Sequence, residues 1–193
     1  MANVDRPNGF HPVGLLGGSG YNAMVQEYSV AVGNDVSIHV GDVVTTTGTA
    51  SAEGLLNVEE CVGSEGSAGT ILGVVVGIVV DRSVAATEHP GYLPALTAGS
   101  VLVNVDPYQL YEVQGAQSLA LADYGLFCDH IWAAGNTTTG SSNMELTTSS
   151  ATTTGQWQVI RASRRVDNEL VAVNQKLIVR PAETIYGPVG NDV

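Results

Sequence analysis

Basic residues are scarce in this chain: Lys and Arg number 7 against 19 Asp and Glu in 193 residues, giving a formal net charge of -12. Phosphate recognition depends on clustered Lys and Arg, so direct nucleic-acid binding and docking on an anionic membrane are disfavoured. Cysteine is equally sparse. Cys61 and Cys128 are too few for a disulfide framework and have no neighbours at metal-ligand spacing, which reads them as reduced and buried. Long apolar runs are missing as well. Ile71 to Val80 (ILGVVVGIVV) contains Gly73 and Gly77 and falls well short of the ~20 residues that span a bilayer as a helix. It reads as a buried strand or pair of strands. The opening MANVDRPNGFHPVG has no apolar core of a secretory signal, so none is expected.

What the chain does contain is alternation. In Thr97 to Gln114, Val101, Val103 and Val105 alternate with Leu102 and Asn104, Asp106-Pro107 interrupts, and Leu110, Tyr111 and Val113 resume. That pattern predicts strand, turn, strand. Similar alternation runs through Gln26–Val32, Ser37–Thr45 and Gln156–Ser163, the last with Trp157, Val159 and Arg161 as candidates for one face. Leu170–Val173 and Lys176–Arg180 close the series as strands. Thr45–Ala52 reads as a loop, Ser64–Gly69 as a flexible turn and Ser83–Gly99 as a surface excursion. Ser118–Ile131 is the best helical or irregular candidate, although Gly125 weakens it. Short strands separated by turn signals predict an all-β sandwich or barrel.

Two segments stand apart from this body. Residues 1–20 carry Pro7, Pro12 and five glycines, which oppose helix and regular strand, yet Phe10, Val13, Leu15 and Leu16 are costly to leave in water at roughly 25 cal/mol per Å². An extended N-terminal arm docked on its own domain, a sister subunit or another protein reconciles the two, with residues 21–193 as a single β-rich domain. Charge also divides the chain. Residues 1–160 hold two basic and fifteen acidic side chains, and residues 161–193 hold five and four, so the first part carries about -13 and the second +1. A basic segment on an acidic body suits self-association or an acidic partner; an ordinary solvated strand face is the plainer alternative.

Catalytic patterns are weak. Gly17-Gly18-Ser19-Gly20 lacks the lysine of a phosphate loop and the spacing of a nucleophile elbow. His11, His39, His89 and His130 are widely separated, with no His-x-x-x-His or Cys-x-x-Cys beside them. Glu59-Glu60 are adjacent and would face opposite sides of a strand, so they cannot share an acid/base task. No catalytic, cofactor-binding or metal-binding residue is nominated. Asn136-Thr137-Thr138 matches a glycosylation acceptor by chance in a Thr-rich loop. Trp132 and Trp157 could stack on sugar, though burial in a core is the plainer role for each ring.

Several stretches together resemble the capsid decoration (cement) proteins of tailed bacteriophages. They are MANVDRPNGFHPV, Gly41-Asp42-Val43-Val44, Val103-Asn104-Val105-Asp106-Pro107 with Leu110-Tyr111-Glu112-Val113-Gln114, Asp123-Tyr124-Gly125-Leu126 and Arg164-Arg165-Val166-Asp167-Asn168-Glu169, in the same order along the chain. The last departs from the pattern, because a proline often precedes the Asp-Asn-Glu. The resemblance implies a structural protein on the outer surface of the virion capsid, made in the host cytoplasm and free of catalysis and cofactors. It implies binding to the major capsid protein and to itself as a homotrimer, a jelly-roll-like or barrel body, and an N-terminal arm that reaches across capsid subunits. Expected contact residues are Phe10, Val13, Leu15 and Leu16 in the arm and Arg161, Arg164 and Arg165 in the basic segment. The alternatives are a carbohydrate-binding β-sandwich module on a virion surface or fibre, and a glycan-hydrolysing enzyme.

Overall fold

A computed structural model describes residues 3–18, 24–62, 70–79, 89–149 and 151–187. The turn expected at 64–69, residues 83–88 of the excursion, and residues 1, 2, 19 and 20 of the expected arm lie outside them.

The protein is all-β. Val25–Val30 (β2), Val43–Ala50 (β3), Leu56–Glu60 (β4), Gly73–Val79 (β5) and Gly99–Asn104 (β6) close into a barrel in the order β2-β4-β3-β5-β6. Against it lies a five-stranded sheet of His11–Leu15 (β1), Gln109–Gln114 (β7), Phe127–Cys128 (β8), Trp157–Ala162 (β11) and Lys176–Pro181 (β12), ordered β1-β7-β12-β11-β8. His130–Ile131 (β9) and Glu145–Leu146 (β10) form a small antiparallel pair.

Two apolar clusters explain why the valine runs are continuous. Successive strand residues face opposite sides. Val44 and Val75 point into the barrel with Tyr28, Val58, Val101 and Val103. Their neighbours Val43 and Val74 point outward, where Tyr111, Val113, Trp157, Val159, Leu177 and Val179 of the sheet cover them. A strand buried on both faces needs apolar residues at every position, so the alternation seen elsewhere disappears here.

The central Thr97–Gln114 stretch is strand, turn, strand as expected, but its halves serve different sheets. β6 pairs with β2 and β5, while β7 sits between β1 and β12. The turn that redirects the chain is held by Asp106 Oδ1, which accepts the Tyr108 N–H at 2.8 Å, and by Asn104 Oδ1, which accepts the Asp106 N–H at 3.0 Å.

Two expectations are corrected, and a third resolves to its irregular alternative. Thr45–Ala52 is no loop: most of it belongs to β3, whose β-branched threonines pair with β4 on a largely exposed rim. Leu170–Val173 is a turn and not a strand, with Val171 at φ 57. Ser118–Ile131 holds a single 3-10 turn at Leu121–Asp123 followed by two short strands.

Candidate functional site

The segment expected to form an arm is stitched to its own body throughout its described part. β1 pairs with β7, the Phe10 N–H donates to the Gly41 carbonyl at 3.0 Å, and the Arg6 N–H donates to Gln114 Oε1 at 3.1 Å. Phe10 is corrected from contact residue to core residue: its exposure is 0%, and its ring stacks on Trp157 with centroids 4.2 Å apart. Val13 and Leu16 stay about half exposed, and Leu15 is partly buried, along an edge strand that pairs on one side alone.

Arg161 lies on β11, next to the far edge of the same sheet, and Arg164 and Arg165 lie on the connection that follows it. A bulge between Val159 and Arg161 breaks the alternation of β11, so Trp157 and Val159 face the core while Arg161 turns outward. Arg164 is exposed. Arg165 grips Glu112 at two points, Nη2 to Oε1 at 2.6 Å and Nε to Oε2 at 3.1 Å. Between β11 and β12 the chain makes a projecting connection whose ends are tied by one side chain. Asn168 Nδ2 donates to the Ser163 and Lys176 carbonyls at 2.9 and 2.8 Å, and its Oδ1 accepts the Lys176 N–H at 2.8 Å. The Asn3 amide fastens the connection from outside through the Glu169 and Val173 carbonyls and the Glu169 N–H. Held this way, it exposes Val166 fully and leaves Leu170, Val171 and Val173 about half exposed. Asn168→Ala is expected to cost about 1–3 kcal/mol, read as a lower urea midpoint, because the Ser163 carbonyl and the Lys176 N–H lose their partner together and the Lys176 carbonyl keeps only the Ser163 N–H.

A second constellation is buried and was missed by the sequence reading. His39, Val40, Gly41 and Asp42 form a tight turn with Gly41 at φ 94 and the Asp42 N–H on the His39 carbonyl at 3.2 Å. The turn brings the His39 imidazole beside the Asp42 carboxylate, with Nδ1 3.6 Å from Oδ2. Register then adds a third group, since Val44 stands opposite Glu60 and the Glu60 carboxyl meets that of Asp42. All three residues are at most 2% exposed. Burial first, and the neighbouring Asp42 second, push the Glu60 carboxyl well above the usual carboxylate range, against the hydrogen bond from Trp132 Nε1. Glu59 on the same strand is exposed, as the alternation requires. Glu60 and Glu59 face opposite sides, as expected; the partner Asp42 lies in the turn that leads into β3, and the Gly at the third position of the HVGD turn was the local signal available.

Trp157 is fully buried and offers no sugar platform; Trp132 is half-buried against the core cluster and donates its indole N–H to Glu60. The carboxyls of Asp42 and Glu60 touch each other inside the protein, which leaves no space for a glycosidic bond between them. His130 is likewise internal, with Nε2 2.7 Å from the Cys61 carbonyl, and burial pulls it below its usual range. Cys61 and Cys128 are buried, and burial chiefly, helped by Asp129 and Asp123, pushes the Cys128 thiol up to about 12. A groove of about 920 Å³ with mixed polar and apolar walls lies between the N-terminal segment and the sheet, lined by Arg6, Val13, Asn143, Arg165 and Lys176 among others. No protein-family model, curated protein or solved structure matches this chain.

Proposed function

We propose that this chain is a structural virion protein that docks on the outer surface of a phage capsid and clamps neighbouring copies of the major capsid protein. The observation that carries the reading is the β11–β12 connection. Val166, Leu170, Val171 and Val173 project there beside exposed Arg161 and Arg164, on a chain whose net charge is -12. An apolar knob flanked by Arg161 and Arg164, with Asp167 and Glu169 exposed on the same connection, suits a partner with an apolar recess and carboxylates placed to meet the two arginines. The knob is also held rigid by Asn168 and Asn3, so little ordering entropy is lost when it docks. Val171 sits at φ 57, a conformation that costs a β-branched residue about 1–3 kcal/mol and is kept where surrounding contacts enforce it.

The resemblance to decoration proteins supports the same reading, and most of its quoted segments meet in space. The Phe10 N–H bonds the Gly41 carbonyl, His11 pairs with Glu112, the Glu169 N–H bonds Asn3, and Arg165 grips Glu112, which joins four of the five segments. Trimer formation and placement at three-fold positions belong to this proposal. On repeated shell sites, modest affinity per contact is multiplied by simultaneous attachment.

Sedimentation of the purified protein with mature, undecorated capsids of the same virus tests the reading. Saturable pelleting at a fixed number of copies per shell is expected. The Arg161→Glu, Arg164→Glu variant should bind about tenfold or more weakly, with a flatter salt dependence. Wild-type protein that stays in the supernatant at micromolar concentration would overturn the reading. Equal binding by wild type and variant would remove the basic face from it.

A further inference from the structure

We propose that His39, Asp42 and Glu60 form a structural binding site for one divalent transition-metal ion of the zinc class. Their ligand atoms lie within 4.8 Å of one another inside the protein, and among the described residues they are the one such group. Four of their polar atoms, His39 Nδ1 and Nε2, Asp42 Oδ1 and Glu60 Oε1, have no hydrogen-bond partner. Leaving so many buried polar atoms unserved is expensive, and a ligand they share resolves most of the cost at once.

The arrangement is that of ligands held from behind. Asp42 Oδ2 accepts the His39 backbone N–H at 2.6 Å, and Glu60 Oε2 accepts the Trp132 indole N–H, so each carboxylate keeps its other oxygen for the centre. The imidazole is clamped. It stacks on Tyr92 with centroids 4.7 Å apart and planes 11° from parallel, and a Cβ on Gly135 would stand 2.3 Å from the ring. Such outer partners fix ligand orientation in metal sites.

Spacing and charge agree. Two ligands each about 2.1 Å from a tetrahedral ion stand about 3.4 Å apart, and the three ligand atoms, one from each residue, lie within 4.8 Å of one another, close enough to reach that edge by small side-chain rotations. Metal ligation requires the imidazole neutral and the carboxyls ionised, and the two negative charges of that bound form are cancelled by one divalent ion. A single proton shared between the carboxyls would serve them but leave both ring nitrogens unserved. One nitrogen and two oxygens suit zinc and its first-row neighbours, whereas calcium requires six to eight oxygens. The ion would lock the His39–Asp42 turn, on which Phe10 is hung, to the end of β4.

The test uses the full chain, purified without chelator, for elemental analysis, then stripped with EDTA and titrated with Zn²⁺ by calorimetry and thermal melting. About one ion per chain and a melting temperature that rises with Zn²⁺ and falls on stripping are expected. Glu60→Gln keeps the side-chain shape and an acceptor for Trp132. It should remain folded by circular dichroism and bind Zn²⁺ at least about tenfold more weakly. His39→Gln provides an independent second variant. Absence of saturable binding by the stripped wild type, or equal binding by wild type and both variants, overturns the proposal; the latter would place the ion on the acidic surface.

Discussion

Phe10→Ala is expected to lower the unfolding free energy by about 3–5 kcal/mol, the range for removing a buried aromatic ring from a packed core. The ring lies between elements distant in sequence: it stacks on Trp157 at 24° and meets His130 edge-on with centroids 6.4 Å apart. Its backbone N–H is bonded to Gly41, so the cavity left by alanine cannot collapse without moving the turn that carries His39 and Asp42. Urea unfolding followed by tryptophan fluorescence measures the loss directly, because Trp157 is the residue uncovered. A change under about 1 kcal/mol would mean that residues 3–18 do not dock on the body in solution. Val13→Ala is the matched control, since that side chain is about half exposed and should cost little.

Gly73→Ala is expected to destabilise the barrel by about 3 kcal/mol or more, at the upper end of overpacking effects. A Cβ there would stand 2.1 Å from the Asn104 carbonyl oxygen and 2.9 Å from Val103 Cγ1. The obstacle is backbone, and it belongs to the strand on which β5 is paired, so neither side can retreat without opening the ladder. Gly77, four residues along the same strand, supplies the contrast. Its Cβ would meet Leu102 Cδ1 at 3.4 Å, an ordinary contact, so Gly77→Ala should change stability by less than about 1 kcal/mol. Equal melting temperatures for the two variants would show that β5 and β6 do not approach as closely as this packing requires.

The contrast between those glycines shows how much of the fold could be read from the chain. Both interrupt the same apolar run, and nothing local distinguishes them; their difference lies in what the neighbouring strand places opposite. Leu170–Val173 illustrates the same limit from the other side. Its composition is that of a strand, but Asn168 closes the connection at its base and Val171 is driven to positive φ, so apolar side chains are presented outward. The arginines were found by counting charge, whereas the bulge that turns Arg161 away from Trp157 and Val159 has no signature in the residues themselves.

By itself the amino-acid sequence determined the all-β class, the positions of most strands, the Asp106-Pro107 turn and the unequal distribution of charge. Each of these follows from preferences acting over two to six residues: side-chain alternation, β-branching, proline's missing donor, carboxylate and amide turns. Only the tertiary structure decided that β6 and β7 serve different sheets, that Phe10 is core, and that His39 and Asp42 meet Glu60. Those outcomes depend on strand register, which is chosen by the free energy of the whole packed assembly. A shift of one residue in the β3–β4 pairing would leave every local preference satisfied and would carry Glu60 to the opposite face from Asp42.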